Sequence, residues 1–486
     1  MESPPVLISD NDVNKQPPVT LVSPTNPTPT QTLFLSNIDQ TVAFPVETLF
    51  FFDSPMSEDI VETMKRSVSE VLLIPYYFMA GRLNFNFQTR RLELVCNNAG
   101  VLFVGASSKL TIKDLGDVSS PNPSFQHLIS RTYGFRSLAE TPIWTIQARF
   151  MFGWILTFAE IKTVKRVFQM ILKNAQVTKF KCGGYSIGFV MNHCTLDGRS
   201  AAEMFQCLAS ICRGEELKAE ALFNDRTILA ARSPPRIEYA HTEYTKLTDT
   251  TTTFTSPHQA SLSPPPPKII DTQSYKLFHF SSDMISSLKS KAMTKCSSFE
   301  AIVAHIWRAR TRAVFEDPSE VSTVMFAVDI TSKMNNPPLP IGFIGNAVIT
   351  ASASAQVVEL VEQPLCFFVG KVRSAIERVT DDYVRSVIDW LEVHKGVPST
   401  MNGNFFVSAW YKLPFHELDF GSGRPVFGGP VVSGLHEFVL LLSEGSNRKS
   451  CKNGEGDGLK RGGGVNVWMV LEQHKMERFV KYVFEM

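Results

Sequence analysis

The chain has 486 residues, 44% hydrophobic and 20% charged, with a formal net charge of +1. A single core rarely grows past roughly 250–300 residues, so two domains are expected. So small a net charge excludes a global field that would recruit nucleic acid or an acidic membrane.

Eight scattered cysteines form no Cys-x-x-Cys pair and sit at no zinc-like spacing from histidine. They read as the reduced thiols of a cytoplasmic protein without a metal site. No signal-peptide pattern opens the chain, and no uncharged apolar run reaches 18 residues, so no membrane span is expected.

In chain order, residues 1–32 are rich in Pro, Thr, Ser and Asn and read as a flexible arm. Residues 57–73 read as a helix, with Ile60, Val61, Met64, Val68 and Val71 at helical spacing, and Arg91 to Cys96 reads as a strand. A β-like run from Tyr185 ends at His193, and a helix is expected from about Ser200. The Thr- and Pro-rich stretch 246–268 is the expected linker. It separates an N-terminal domain, 33–245, from a C-terminal domain, 269–486. Beyond it, Tyr275 to Phe280 reads as a strand, with Ser282 or Asp283 capping the next helix. Ser297 to Ala313 reads as an amphipathic helix. Phe438 to Leu442 and Val465 to Leu471 read as strands joined by a long glycine-rich loop. Strands and helices mix in both halves, which gives an α/β or α+β class.

The chemistry is expected at His193-Cys-Thr-Leu-Asp197. A histidine at the end of a strand is placed to project from the fold, and its titration range suits proton transfer near neutral pH. The spacing alone decides little, because His279-Phe-Ser-Ser-Asp283 matches as well, and there helix capping explains the aspartate. The plain alternative for His193 is a satisfied histidine at a strand end.

Further matches are spread along the chain: Leu35-Ser-Asn-Ile-Asp-Gln40, Ala80-Gly-Arg-Leu83, Ser298-Phe-Glu-Ala301 with Trp307-Arg308, Gly345-Asn346, and Asp419-Phe-Gly-Ser-Gly423-Arg-Pro425. Together they resemble the BAHD acyltransferases, a plant family that uses acyl-CoA donors. Leu35 to Gln40, Asn224 to Thr227 and Asp381 to Ser386 resemble the subgroup that acylates ω-hydroxy fatty acids and fatty alcohols, often with hydroxycinnamoyl groups.

The resemblance implies an α/β fold of two chloramphenicol acetyltransferase-like domains with a channel between them. It implies a monomer that binds no permanent cofactor, uses acyl-CoA as co-substrate, and acylates a small-molecule alcohol or amine. His193 would be the general base. Asp197 would support the histidine loop by pairing with an arginine. Asp419, Phe420, Gly421 and Gly423 would form a structural motif that keeps the CoA channel open, and Ser422 stands where the family usually has tryptophan. Ser408 and Trp410 would line the acceptor site, or else belong to a core strand. Residues 397–406 contain no Arg or Lys, which argues against an acceptor held by a carboxylate clamp. A catalytically inactive accessory protein of lipid or wax biosynthesis is the alternative reading.

One segment departs from the resemblance. Residues 148–176 interrupt Thr141 to Gln147 and Val177 to Gly184, which join into one strand when the interruption is removed. These 29 residues read either as translated intron or as a basic amphipathic helix.

Overall fold

The computed structural model describes residues 7–15, 20–55, 60–118, 121–129, 137–147, 177–179, 182–217, 222–246, 273–399, 404–431, 438–444 and 463–485. The first half contributes β1 (Val13–Lys15), β2 (Thr20–Val22), β3 (Gln31–Phe34), α1 (Asn37–Thr41), β4 (Pro45–Phe52), α2 (Ile60–Arg66), β5 (Arg82–Asn86), β6 (Arg91–Cys96), β7 (Val101–Ser108), β8 (Trp144–Gln147), β9 (Val177–Lys179), β10 (Tyr185–Asn192) and α3 (Gly198–Cys212). The second half contributes β11 (Tyr244–Thr245), β12 (Gln273–Phe280), α4 (Ser282–Lys291), α5 (Ser298–Val314), β13 (Val321–Asp329), β14 (Val348–Gln356), α6 (Val357–Glu362), α7 (Leu365–Glu377), α8 (Asp381–His394), β15 (Val397–Pro398) and β16 (Asn404–Ala409). It closes with β17 (Phe427–Pro430), β18 (Phe438–Ser443), β19 (Val465–Glu472) and α9 (Gln473–Val483).

Two compact units result. The first holds Met1–Thr227 together with Pro340–Asn346 and Pro414–Ser433, and the second holds the rest. This division differs from the expected domains 33–245 and 269–486. Residues 228–246 belong to the second unit, where Asp389 of α8 accepts from Arg232 N, Arg232 Nε and Arg236 N at 2.7–2.8 Å. Residues 414–433 return to the first unit because β17 pairs with β4 (Phe427 opposite Phe51). The expected linker lies outside the described residues except for Lys246, and the expected loop lies outside them except at its ends.

In the first unit the main sheet runs β1-β7-β8-β10-β4-β17, with β2 also on β7, and β9 on both β10 and β7. The expected flexible arm contributes β1 and β2, each antiparallel to β7. Its composition misleads because a few apolar residues suffice to anchor an edge strand, and Ile8, Val13 and Val22 are buried. β10 is central and buried along Tyr185 to Met191, as its almost uninterrupted apolar run requires. On one face Phe189 stacks on Phe205 of α3 at 4.2 Å, and Phe50 of β4 meets both rings edge-on. On the other face Leu49, Phe51 and Val190 pack with Leu115, Phe125 and Leu128.

β8 and β9 behave as one strand. On β10, Gln147 faces Gly188 and Val177 faces Ile187; on β7, the same two residues face Val104 and Gly105. Residues 147 and 177 therefore take successive places on both neighbours, as the sequence analysis expects on joining the flanks. The intervening 148–176 lie outside the described residues.

The second unit is built on a six-stranded sheet, β12-β19-β18-β16-β13-β14. Helix α5 begins at the Ser297 N-cap, which forms a reciprocal capping box with Glu300. Its Trp307 donates to Ser322 Oγ at 3.0 Å and meets Phe368 edge-on. The cap of α4 is Ser281, one residue before the expected Ser282, because its side chain reaches Met284 N. Of the expected helix 57–73, residues 57–59 lie outside the described residues, and the rest is α2 followed by a π-helical turn over Ser67–Leu72. Among the described residues no helix is long and apolar enough to cross a membrane.

Candidate active site

His193 stands directly after β10, on the turn that leads into α3. The strand end is fixed on both sides: Asn192 N–H donates to Ile143 O and His193 N–H donates to Phe44 O, each at 2.9 Å. The turn then closes on itself, with Thr195 Oγ1 donating to Asn192 O at 2.7 Å. Asp197 is the N-cap of α3, its Oδ1 accepting from Ser200 N at 2.8 Å. Its own N–H donates to Gly345 O.

Inside this loop lies a cation that the sequence analysis did not place. Arg226 is fully buried and donates to Cys194 O at 3.2 Å and Thr195 O at 2.5 Å. Its charge is matched by buried Asp39, 3.8 Å away. Asp39 in turn accepts from Ser36 N and Ser36 Oγ at 2.8 Å, in the capping box that starts α1. A buried ion pair persists when further hydrogen bonds support both partners; here Arg226 Nη1 and Nη2 and both Asp39 oxygens have them, while Arg226 Nε has none.

Asn346 connects this pair to the imidazole. Its Nδ2 donates to Asp39 Oδ1 at 2.7 Å and to His193 O at 2.9 Å. Two acceptors on one side fix the amide orientation, so Oδ1 is the atom 3.0 Å from His193 Nδ1. An amide oxygen only accepts, so Nδ1 carries a proton, and in the neutral ring the Nε2 lone pair is free. The ring is half-buried, which leaves it open to a ligand. The neighbouring Cys194 is not a competing nucleophile: burial, and next the charge of Asp39, push its thiol well up, and Arg226 only partly opposes this.

The other expected site residues fall in two groups. The Asp419 motif belongs to the first unit with His193 and Asp197. Asp419 Oδ1 accepts from Gly421 N at 2.8 Å and Gly423 N at 2.9 Å, and both glycines have positive φ. Phe420 is buried edge-on to Phe52. Ser408 and Trp410 belong to the second unit, Ser408 on β16 opposite Leu440 and Trp410 just beyond that strand. His279 lies on β12 with Nδ1 2.9 Å from Asn466 Oδ1, a structural partner for the look-alike spacing. Asp39, Arg226 and Asn346 fall within the matching segments Leu35–Gln40, Asn224–Thr227 and Gly345–Asn346, but nothing in the sequence around them assigns a role.

Two α/β units and a histidine loop locked between a central strand and a helix define the class: an acyltransferase of the two-domain kind. The Transferase family matches residues 18–153 and 158–486. The chain therefore belongs to this family, the BAHD acyltransferases, and is an enzyme that uses acyl-CoA as its co-substrate. Among its relatives in Arabidopsis thaliana, omega-hydroxypalmitate O-feruloyl transferase is 34% identical over 90% of this chain and 88% of its own. Acyltransferase GLAUCE is 35% identical over 91% and 92%, and fatty alcohol:caffeoyl-CoA acyltransferase 33% over 90% and 93%. Of solved structures, vinorine synthase superposes with a TM-score of 0.66 at 20% identity, covering 96% of both chains. TRI101 of F. sporotrichioides complexed with coenzyme A and T-2 gives 0.67 at 16%, covering 93% and 97%. These structures share the fold.

Proposed function

We propose that this enzyme transfers a hydroxycinnamoyl-type acyl group from its CoA thioester to the hydroxyl of an aliphatic acceptor, with His193 as general base. The supporting observation is the Nδ1–H bond to Asn346 Oδ1, which leaves the Nε2 lone pair as the proton acceptor. In the ternary complex Nε2 takes the acceptor's hydroxyl proton while its oxygen attacks the thioester carbonyl. The tetrahedral intermediate collapses, the C–S bond breaks, and the departing thiolate recovers the proton from the imidazolium. The Asp39–Asn346 relay faces the positive charge that forms on the ring during attack.

Asp197 and Arg226 hold the loop rather than touch substrate, and Ser408 and Trp410 are assigned to the acceptor side. The Asp419 turn supports the CoA side. Ser422 in place of tryptophan is compatible with activity, because the turn rests on backbone bonds to Asp419 rather than on that side chain. The lipidic acceptor class rests on the relatives named for ω-hydroxypalmitate and fatty alcohols. A cytoplasmic location fits the seven free cysteines among the described residues.

The test follows thiol release from feruloyl-CoA in the presence of long-chain alcohols. H193A is expected to lower kcat by about 10²–10⁴. Equal release by wild type and H193A would end the general-base reading, and no release above background from wild type would favour the inactive accessory role.

A further inference from the structure

Phe44 sits beside the base for reasons that the loop's own hydrogen bonds do not require. Its carbonyl receives the His193 N–H, but any residue could supply that carbonyl. Its ring lies 5.6 Å from the imidazole, tilted by 54°, and is 50% exposed. Largely exposed phenylalanines are few among the described residues. Phe85 and Phe87 pack on each other, and Phe484 packs on Phe278. Phe44 instead spends its contact on a polar ring and leaves the remainder open. An apolar ring held half-open costs free energy in the unliganded protein, unless something apolar covers it.

The ring is also held in place. Pro45 follows it and restricts the backbone of Phe44 to extended conformations. The Phe44 N–H donates to Val42 O at 2.8 Å, and its carbonyl is bound to His193, so both sides of the peptide unit are anchored. Sites of selection are built on positions fixed in this way.

We infer that Phe44 is a specificity-determining residue, the seat for an apolar carbon chain on the acceptor. The inference rests on the general-base reading of His193. The base touches the acceptor's hydroxyl, so a side chain packed on the base meets the carbons next to that hydroxyl. An alkyl alcohol covers the phenyl ring and displaces water from it, whereas a polyether alcohol gains nothing there.

The experiment compares 1-decanol with diethylene glycol monoethyl ether as acceptors for feruloyl-CoA, using wild type, F44A, F44L and H193A. For F44A, kcat/KM with 1-decanol is expected to fall about tenfold, mostly through KM, with the ether alcohol changing less than about twofold. F44L is expected to keep most of the preference. An unchanged ratio between the two acceptors in F44A, or an equal fall for both, overturns the assignment. Transfer retained by H193A overturns the base instead, and the acceptor ratio of the Phe44 variants remains readable in that case.

Discussion

Removal of residues 148–176, joining Gln147 directly to Val177, is expected to give a folded and more stable enzyme. Gln147 and Val177 already face consecutive residues on β10 and on β7, so a single trans peptide, which spaces Cα atoms by about 3.8 Å, bridges places the sheet has prepared. Closing a connection of 29 residues costs about 3 kcal/mol from the (3/2)RT ln n relation. Deletion releases that cost and restores an unbroken ladder on a strand between two neighbours. For a unit of this size the gain corresponds to a melting temperature higher by about 5 °C. Scanning calorimetry of the deleted and full-length proteins reads this directly, with thiol release confirming that transfer persists within about twofold. A deleted protein that is insoluble, or that melts lower, would show that the segment is part of the fold and refute the reasoning. Sequencing the transcript across codons 147–177 gives the independent check on its origin.

Replacing Asn346 with alanine leaves Nδ1 without its acceptor and removes one donor from Asp39, so kcat should fall about 10–100-fold with KM for both substrates unchanged; steady-state kinetics with kcat preserved would contradict the relay. In the second unit, burial pushes the Glu243 carboxyl up, but hydrogen bonds from His241 and Tyr383 outweigh it and hold the group below its ordinary range. A depressed folded pKa gives stability that is present above the unfolded value, about 4.3, and is lost as the pH falls through the folded value. The urea midpoint of wild type should therefore drop more steeply than that of E243Q between about pH 5 and pH 3, and parallel profiles would exclude this role.

The elements most legible in the sequence are those whose local pattern and burial agree. Tyr185 to Met191 is apolar but for Ser186 and is a central strand; Ser297 with Glu300 announces α5 and caps it. His193 was legible as a strand-end histidine on the expected loop. What makes it a defined tautomer was not, since Asp39, Arg226 and Asn346 lie far apart along the chain and meet only in the fold. The available signal was chemical: an aspartate and an arginine, residue types rarely buried unless paired, inside short matched segments. The division between units escaped for a similar reason. Nothing local to Phe427–Pro430 says that it pairs with β4 rather than with the strands that follow it.

That pairing reaches across most of the polypeptide: Phe427 and Gly428 lie opposite Phe51 and Phe50. On a ribosome, the amino-terminal sheet must wait with β4 uncovered until nearly all of the message has been read. A product truncated after α3 would display that unfilled edge to its neighbours, and a chaperone that shields exposed strands would find its client during synthesis rather than after it.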